Sequence, residues 1–344
     1  MTKVKALATG IGSLPHIEAK EALEVVFSNC PRVPFWPQLP KRDPREGMVA
    51  QFSENLPCLR MSRSGIFFDP QRKEEELEAF YSHIIENDAD YFRITPDFAR
   101  GLHGFLERLE KGGSSSIDFI KGHVTGPFTF AAGIQDDTGK ALLHDSVFMQ
   151  AITKGLEMKA LWQIKTFKKF GKKMIIFLDE PYLGCFGSGF TPVTRESVVS
   201  VLREFTDTVK SEDVFIGVHC CGNTDWSMFT DVPGIDIINF DAFSYQDKFV
   251  LYADNLKGFL ERGGIVCWGV VPTQEFDASQ TPELLIKRID EGFKRLIAHG
   301  VKRELLTENL MLSPACGLGT LDIAKAKGIF RLLSKTSEII RERS

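Results

Sequence analysis

The fold of this chain is decided by a strand with a polar end, residues 214–223, which read VFIGVHCCGN. The apolar run that opens this stretch has strand character, and the Gly-Asn pair that closes it predicts a turn. Because side chains alternate along a strand, His219 and Cys221 share one face and Cys220 points to the other. An imidazole and a thiolate on one face provide half of a tetrahedral zinc site. A buried pair of cysteines beside a core histidine fits the stretch alone equally well.

Other apolar runs have the same strand character, and helical segments separate them. The predicted strands cover 6–11, 33–40, 117–124, 174–178, 214–217, 235–240, 264–271 and 309–313. The predicted helices cover 17–28, 74–87, 99–111, 145–170, 194–210, 282–299 and 321–344. Thr194 and Thr281 are the expected N-caps of two of these helices. Near-continuous apolar strands that alternate with helices are typical of parallel strands buried on both faces.

Polar or reactive residues follow almost every predicted strand. They are Ser13, Asp179, His219, Cys221, Asp241 and Cys316. Such residues mark the active-site face of a barrel, whereas a doubly wound open sheet would not place them after nearly every strand. The sequence therefore predicts an α/β fold: a single (β/α)8 TIM barrel over residues 1–344, one catalytic domain, with its active site at the C-terminal ends of the strands. The polar loop 41–63 has a length that is often functional.

Length and composition limit the kinds of partner. The 344-residue chain is 43% hydrophobic with a net charge of -4, and its basic residues are scattered, so a nucleic-acid partner is not expected. No apolar run reaches the roughly 20 residues of a membrane helix, and no signal peptide is evident. Seven cysteines, an odd number, argue against a disulfide framework. We expect a cytoplasmic protein that does not bind membranes.

Three candidate metal ligands lie on the same face of the predicted barrel: His219, Cys221 and Cys316. Three protein ligands leave a fourth position for water or substrate, which is the pattern of a catalytic zinc site. Two thiolates suit a sulfur substrate, because a zinc-bound thiol loses its proton near neutral pH and stays nucleophilic. The predicted reaction is attack of that thiolate on an electrophilic carbon.

Five short motifs follow one another in the order seen in the C-terminal barrel of cobalamin-independent methionine synthase, a family of the uroporphyrinogen decarboxylase-like superfamily. They are Ile11-Gly12-Ser13, Thr125-Gly126-Pro127, Asp179-Glu180-Pro181, His219-Cys220-Cys221 and Pro314-Ala315-Cys316-Gly317-Leu318. The resemblance covers essentially the whole chain. It implies a zinc-dependent methyltransferase that methylates homocysteine to methionine, a short form that resembles a "core" methionine synthase.

The resemblance also implies the metal ligands. His219, Cys221 and Cys316 match the zinc ligands of the family, and Asp241 falls where the family has a ligating Glu. Asp241 is one methylene shorter than Glu, and the alternative for it is a hydrogen-bonding residue at a strand end.

The substrate residues implied by the resemblance come from two motifs. Ser13, with the backbone of Ile11 and Gly12, would hold the carboxylate of homocysteine, and Asp179 would hold its ammonium group. Glu180 would either help to bind the substrate or cap the following segment. The alternative for Asp179 is a structural pair with a nearby Arg or Lys. Asp179 and Asp241 are the expected catalytic residues beside the metal.

The methyl donor is the point at which the chain departs from the family. The N-terminal barrel of the long enzymes, which helps to hold folate, has no counterpart in it. Matching the family's Gly-Val pair to 269–270 puts Gln274 where the long enzymes have a catalytic His. The sequence of residues 218–224 also resembles that of the corrinoid-dependent methyltransferases that methylate coenzyme M. We therefore expect methylcobalamin as donor, carried by a corrinoid protein.

Other functions stay open from the sequence. The acceptor could be coenzyme M or another small thiol, and the donor could be methyltetrahydrofolate. A uroporphyrinogen decarboxylase-like enzyme is disfavoured, because the N-terminal loop lacks the arginines that bind propionates. A non-catalytic protein that binds zinc or a corrinoid would leave Ser13 and Asp179 without a role.

Overall fold

A parallel sheet forms the centre of the computed structural model, which describes residues 4–62, 65–112, 116–136, 138–188, 193–277 and 279–343. The strands are β1 (Leu7–Ala8), β2 (Leu59–Ser62), β3 (Gly65–Phe68), β4 (Phe119–Thr125), β5 (Lys173–Asp179), β6 (Val214–Cys220), β7 (Ile235–Phe240), β8 (Ile265–Val271) and β9 (Leu310–Pro314). Seven of them form one parallel sheet in the order β1-β9-β8-β7-β6-β5-β4, and β2 pairs with β3 in an antiparallel hairpin. The predicted α/β class with a parallel sheet is confirmed.

Helices connect successive strands of this sheet. They are α1 (Ala19–Asn29), α2 (Lys73–Ile85), α3 (Arg100–Glu110), α4 (Pro127–Ala132), α5 (Ser146–Lys168), α6 (Arg195–Val209), α7 (Ser227–Thr230), α8 (Ala242–Phe249), α9 (Ala253–Glu261), α10 (Pro282–Ala298), α11 (Arg303–Glu308) and α12 (Ile323–Glu342). The two predicted N-caps are confirmed, because Thr194 accepts from Ser197 N–H and Thr281 accepts from Leu284 N–H. In the part of the chain that the structure describes, none of these helices has the length and apolar character to span a membrane.

The segment predicted as a strand at 33–40 contains isolated bridges instead. Phe35 bridges Lys121 of β4, and Gln38 bridges Ser13 just after β1, both in parallel orientation. The prolines of this segment lack an N–H and cannot donate to a regular ladder. The sheet therefore has seven regular strands, where the sequence predicts eight.

Four polar residues at the carboxyl ends of neighbouring strands pair with one another in a line across the sheet, which we call the polar row. Thr125 of β4 pairs with Asp179 of β5, and Asp179 pairs with His219 of β6. His219 in turn pairs with Asn239 of β7. Parallel strands in this register carry four polar side chains to one level at the same end of the sheet.

An apolar cluster lies one level below this row. Phe177 and Ile237 precede Asp179 and Asn239 by two residues and so share their face of the sheet. The buried members of the cluster are Val4, Leu7, Val33, Phe119, Ile175, Phe177, Ile237, Ile265, Cys267 and Met311. Apolar side chains therefore lie below the polar row, and the buried Lys121 lies among them with its Nζ 4.3 Å from the centre of the Phe177 ring.

Glu157 of α5 is a buried carboxylate outside the polar row. Its Oε2 lies 3.0 Å from Lys154 Nζ, and Oε1 has no hydrogen-bond partner among the described residues. Burial raises the pKa of Glu157 to about 7, because the cost of desolvating the carboxylate exceeds the gain from Lys154. The folded protein thus retains a proton that the unfolded chain releases near its ordinary pKa.

We expect this proton to make the folded state less stable as pH rises. Between about pH 4.5 and 7 the folded state binds more protons than the unfolded state, so the free energy of unfolding falls by on the order of 2–3 kcal/mol. Glu157→Gln should remove this fall and be the more stable protein near neutral pH. Urea unfolding of both proteins at either end of that window measures the difference. Glu204→Gln, at a more exposed partner of Lys154, is the control and should keep most of the fall, because burial raises the pKa of Glu157 more than the charge of Glu204 does.

Candidate metal centre

The carboxyl ends of the strands border a cavity of about 480 Å³. Its lining includes the predicted site residues Ile11, Ser13, Asp179, His219, Cys221 and Cys316. The end of the bridging segment and the loop after it complete the lining with Gln38, Pro40, Lys41, Glu46 and Met48. The hydroxyl of Thr125 donates to Met48 O at 2.6 Å and ties that loop to the end of β4. The part of the long polar loop around Met48 is therefore a wall of the site.

The three candidate ligands from β6 and from the turn after β9 come together at this cavity. One ligand atom each from His219, Cys221 and Cys316 lies within 4.8 Å of the other two. Bond lengths of about 2.0 Å to nitrogen and 2.3 Å to sulfur would place tetrahedral ligands roughly 3.5–3.8 Å apart. The spacing fits a zinc ion after a small contraction. His219 is buried and the two cysteines are half-buried, and all three line the cavity.

Hydrogen bonds within the group stabilise the thiolate of Cys316. A hydrogen bond with the Cys221 thiol lowers the pKa of Cys316, and His219 lowers it further. The same sulfur–sulfur hydrogen bond raises the pKa of Cys221. Burial would lower the pKa of His219, but the hydrogen bond and charge of Cys316 reverse the direction and raise it. A cation that binds all three groups would replace the protons that the Cys221 thiol and the His219 imidazole donate to the Cys316 thiolate.

Asn239 is a residue of the site that the sequence analysis missed. Its side-chain oxygen accepts the hydrogen bond that His219 donates through Nδ1, and its amide is fully buried. The signal in the sequence is one uncharged amide at the interior-facing position of the apolar strand 235–240.

Asp179 faces the cavity with an unused carboxylate oxygen. The side chain is buried, and Oδ1 has no hydrogen-bond partner among the described residues. Burial raises the pKa of Asp179 to about 6, while the nearby charges of His219 and Lys121 act in the opposite direction. The ammonium of Lys121 donates to Ile11 O at 2.6 Å. An unpaired carboxylate oxygen in a cavity is suited to a cationic ligand group.

Two predicted acidic site residues instead cap helices. Glu180 accepts from the N–H groups of Phe128 at 3.0 Å and Thr129 at 2.8 Å, at the start of α4, and from the Thr129 hydroxyl at 2.7 Å. Asp241 accepts from Ser244 N–H at 2.8 Å and is the N-cap of α8. The carboxylate of Asp241 does not join the group of three ligands. Asp241 thus takes the hydrogen-bonding role that the sequence left as an alternative, whereas Glu180 caps the earlier helix α4 and not the segment that follows it.

The motif after β1 lies against two other elements of the site. Ser13 Oγ accepts from Gly319 N–H at 3.1 Å, which joins the motif to the turn that carries Cys316. A Cβ atom on Gly12 would lie 3.0 Å from the ring of His123, so the backbone passes close to that ring only because residue 12 is glycine. Gln274 also lines the cavity.

Comparisons with known proteins agree with the motifs. No family model matches the chain. A methionine synthase of Methanocaldococcus jannaschii is 23% identical over 225 residues, which cover 64% of this chain and 65% of that protein. The matched part therefore spans about two thirds of the relative's length. This match confirms the resemblance to methionine synthases.

Two solved structures of methionine synthases are similar to this chain to different degrees. The putative vitamin-B12 independent methionine synthase from Listeria monocytogenes superposes with a TM-score of 0.51 and 17% identity over 94% of this chain and 86% of its own. The B12-independent methionine synthase from Shewanella sp. W3-18-1, in complex with selenomethionine, gives a TM-score of 0.46 and 18% identity over 70% and 67%. The Listeria structure supports the fold.

Proposed function

We propose that this chain is a zinc-dependent methyltransferase of the methionine synthase type, which methylates the thiol of homocysteine to give methionine. The observation that carries the proposal is the group of His219, Cys221 and Cys316 on a cavity that Asp179 also lines. Three metal ligands alone would fit many kinds of protein. Three metal ligands beside an unpaired carboxylate oxygen fit a substrate that carries both a thiol and an ammonium group. The methionine synthase relative supports the same reaction.

His219 Nε2 and the sulfur atoms of Cys221 and Cys316 would hold the metal. Zinc bound there would lower the pKa of the substrate thiol and hold its thiolate for attack. The donor set suits zinc because imidazole and thiolate are its usual ligands. Three protein ligands leave the fourth position to the substrate. We assign Asp241 to helix capping and leave it outside the ligand set, because its carboxylate is held by Ser244 N–H.

The remaining residues would orient the amino-acid end of the substrate. Asp179 Oδ1 is available for the ammonium group, and its burial beside His219 places that group near the metal. Ser13 lines the same cavity, so its hydroxyl and the backbone of Ile11 and Gly12 would hold the carboxylate. Two anchored ends fix the distance between the amino-acid group and the sulfur, which brings the thiolate to the metal in one orientation.

We also infer that the sheet closes as an eight-membered TIM barrel, in which the bridging segment 33–38 takes the eighth position. Lys121 N–H of β4 donates to Pro34 O at 3.0 Å on one side. On the other side, Leu14 N–H donates to Gln38 O at 2.9 Å. The segment is thus bonded to β4 at one edge of the seven-stranded sheet and, at the other edge, to the residues that follow β1. Closure of this kind would hold the Ser13 motif and the cavity wall together.

Methylcobalamin, carried by a corrinoid protein, is the donor that we propose. In the reaction the thiolate forms a carbon–sulfur bond, the carbon–cobalt bond breaks, and its electron pair leaves on cobalt as Co(I). That leaving group needs no proton, whereas the leaving nitrogen of a methylated folate does. Gln274, on the cavity wall, has no acidic proton to give. The structural neighbours are named B12-independent, which speaks for a different donor in those proteins.

Metal analysis followed by a methyl-transfer assay tests the proposal. We expect about one zinc per chain, and methionine formed from homocysteine and methylcobalamin but not from homocysteine and methyltetrahydrofolate. Methionine formed only with methyltetrahydrofolate would show that the donor is the folate, and methylation of homocysteine would remain the reaction. A protein without bound zinc that transfers no methyl group from either donor would contradict the proposed function.

A further inference from the structure

Asn239 is a fully buried amide in the middle of the ligand-bearing strands. Its Nδ2 donates at 2.8 Å to Cys267 O of β8 and at 2.8 Å to Ser313 Oγ of β9. Its Oδ1 accepts from His219 of β6. One side chain on β7 therefore joins three other strands. A buried amide is costly unless its polar atoms are bonded, and three of its four hydrogen-bonding positions are filled.

The partners of Asn239 fix which way its amide points. The carbonyl oxygen of Cys267 can only accept, so the atom that faces it must be the NH2 group. The oxygen of Asn239 must then face the ring of His219, and it can only accept from Nδ1. His219 thus keeps a proton on Nδ1, and Nε2 is the nitrogen left for the metal. The metal-facing atom of the histidine is therefore chosen by a residue that does not touch the metal.

The same network continues to the strand that carries the third ligand. The hydroxyl of Ser313, which accepts from Asn239, donates to Pro314 O at 2.9 Å. Cys316 follows Pro314 by two residues in the sequence. The chain of hydrogen bonds thus runs from the imidazole of His219 to the backbone at the base of the turn that holds Cys316.

We propose that Asn239 is a positioning residue for the metal centre, which selects the His219 tautomer and holds the carboxyl ends of β6 and β9 at the spacing that the ligands require. The inference rests on the proposed zinc site. Outer hydrogen-bond partners of metal-bound histidines fix ring orientation, and their loss weakens metal binding by about 10–100-fold. An apolar residue of similar volume at position 239 would fill the same space, so packing alone does not explain the amide.

Zinc affinity, measured by competition with a chromophoric chelator, tests this role. We expect Asn239→Leu to raise the zinc dissociation constant by about 10–100-fold. Asn239→Asp keeps an oxygen for the Nδ1 proton and should lose clearly less affinity. Gln163→Leu is the matched control: Gln163 is also a fully buried amide that links two segments, through Trp36 Nε1 and His123 O, but it does not contact His219. The control should bind zinc as the parent protein does.

The outcomes separate this inference from the proposed function. Zinc binding by the parent protein together with equal affinity in Asn239→Leu would overturn the inference alone. Equal losses in Asn239→Leu and Asn239→Asp, or in Gln163→Leu, would also overturn it, because the effect would then be structural. A parent protein that binds no zinc would overturn both.

A spectroscopic measurement keeps the test valid even if the leucine variant fails to fold. Nitrogen NMR of the zinc-loaded parent protein, labelled in its histidines, should show His219 with a proton on Nδ1 and the metal on Nε2. A metal bound to Nδ1 would contradict the role of Asn239, since its oxygen would then face no donor.

Discussion

Cys316→Ala is expected to abolish zinc binding at physiological concentration and methyl transfer with it. The alanine leaves two ligands, His219 and Cys221, and removes the sulfur whose thiolate form the other two stabilise. Loss of an outer partner of a ligand costs about 10–100-fold in metal affinity, and loss of a ligand should cost more. Zinc per chain after dialysis and the rate of methionine formation measure the two effects.

Cys220→Ala is the matched control for that variant. Cys220 is adjacent to a ligand in sequence but points to the opposite face of β6, where its sulfur donates to Gly222 O at 3.7 Å. Burial raises the pKa of Cys220 to about 12, so it is a neutral thiol near neutral pH. The control should keep its zinc. A zinc-loaded, active Cys316→Ala protein, or equal zinc loss in both variants, would contradict the proposed ligand set.

The three candidate metal ligands could be predicted from the sequence, because strand periodicity and strand direction determine which side chains share a face. Alternation places His219 and Cys221 on one face whatever the partner strands are. Parallel strands carry their carboxyl ends to the same edge, which brings Cys316 from the distant end of the chain to that face. These two rules do not depend on side-chain contacts, and the structure brings the three residues together.

The partners of the acidic residues could not be predicted in the same way. Whether Asp241 ligates a metal or caps a helix depends on where α8 begins, and the sequence analysis assigned no helix there. Glu180 similarly depends on the short helix α4, which it caps and which the sequence analysis also missed. Short helices have weak periodicity, so their N-terminal partners are visible only in the folded chain.

The interior amide was missed, and the place of the loop 41–63 in the site was left open, for a different reason. Asn239 acts through contacts with β8 and β9, and nothing in its own strand identifies those partners. The wall around Met48 belongs to a loop that distant residues hold in place, among them Thr125, which donates to Met48 O, and Phe98, whose carbonyl accepts from Gln51. Both contacts join residues far apart in sequence, and such contacts leave no local pattern.

Asp179→Asn is expected to reduce kcat/KM for homocysteine by about 10–100-fold, because a hydrogen bond between charged groups is worth about 1.5–3 kcal/mol. The asparagine keeps the size of the side chain but loses the charge that faces the ammonium group. 4-Mercaptobutanoate is homocysteine without its amino group. Its kcat/KM should be low in the parent protein and nearly unchanged by the substitution. Zinc content, measured in parallel, excludes an effect through the neighbouring His219.

The pattern across thiols decides between an amino-acid substrate and another acceptor. Glu180→Gln changes the neighbouring carboxyl group, whose oxygens are occupied in capping α4, so it should not distinguish homocysteine from 4-mercaptobutanoate. If Asp179→Asn slowed both thiols equally, the carboxylate would act on the metal centre or the fold and would not bind an ammonium group. If coenzyme M were the better substrate of the parent protein, no ammonium would be present for Asp179 to bind. A selective loss with homocysteine is the one result that ties the unpaired oxygen of Asp179 to an amino acid.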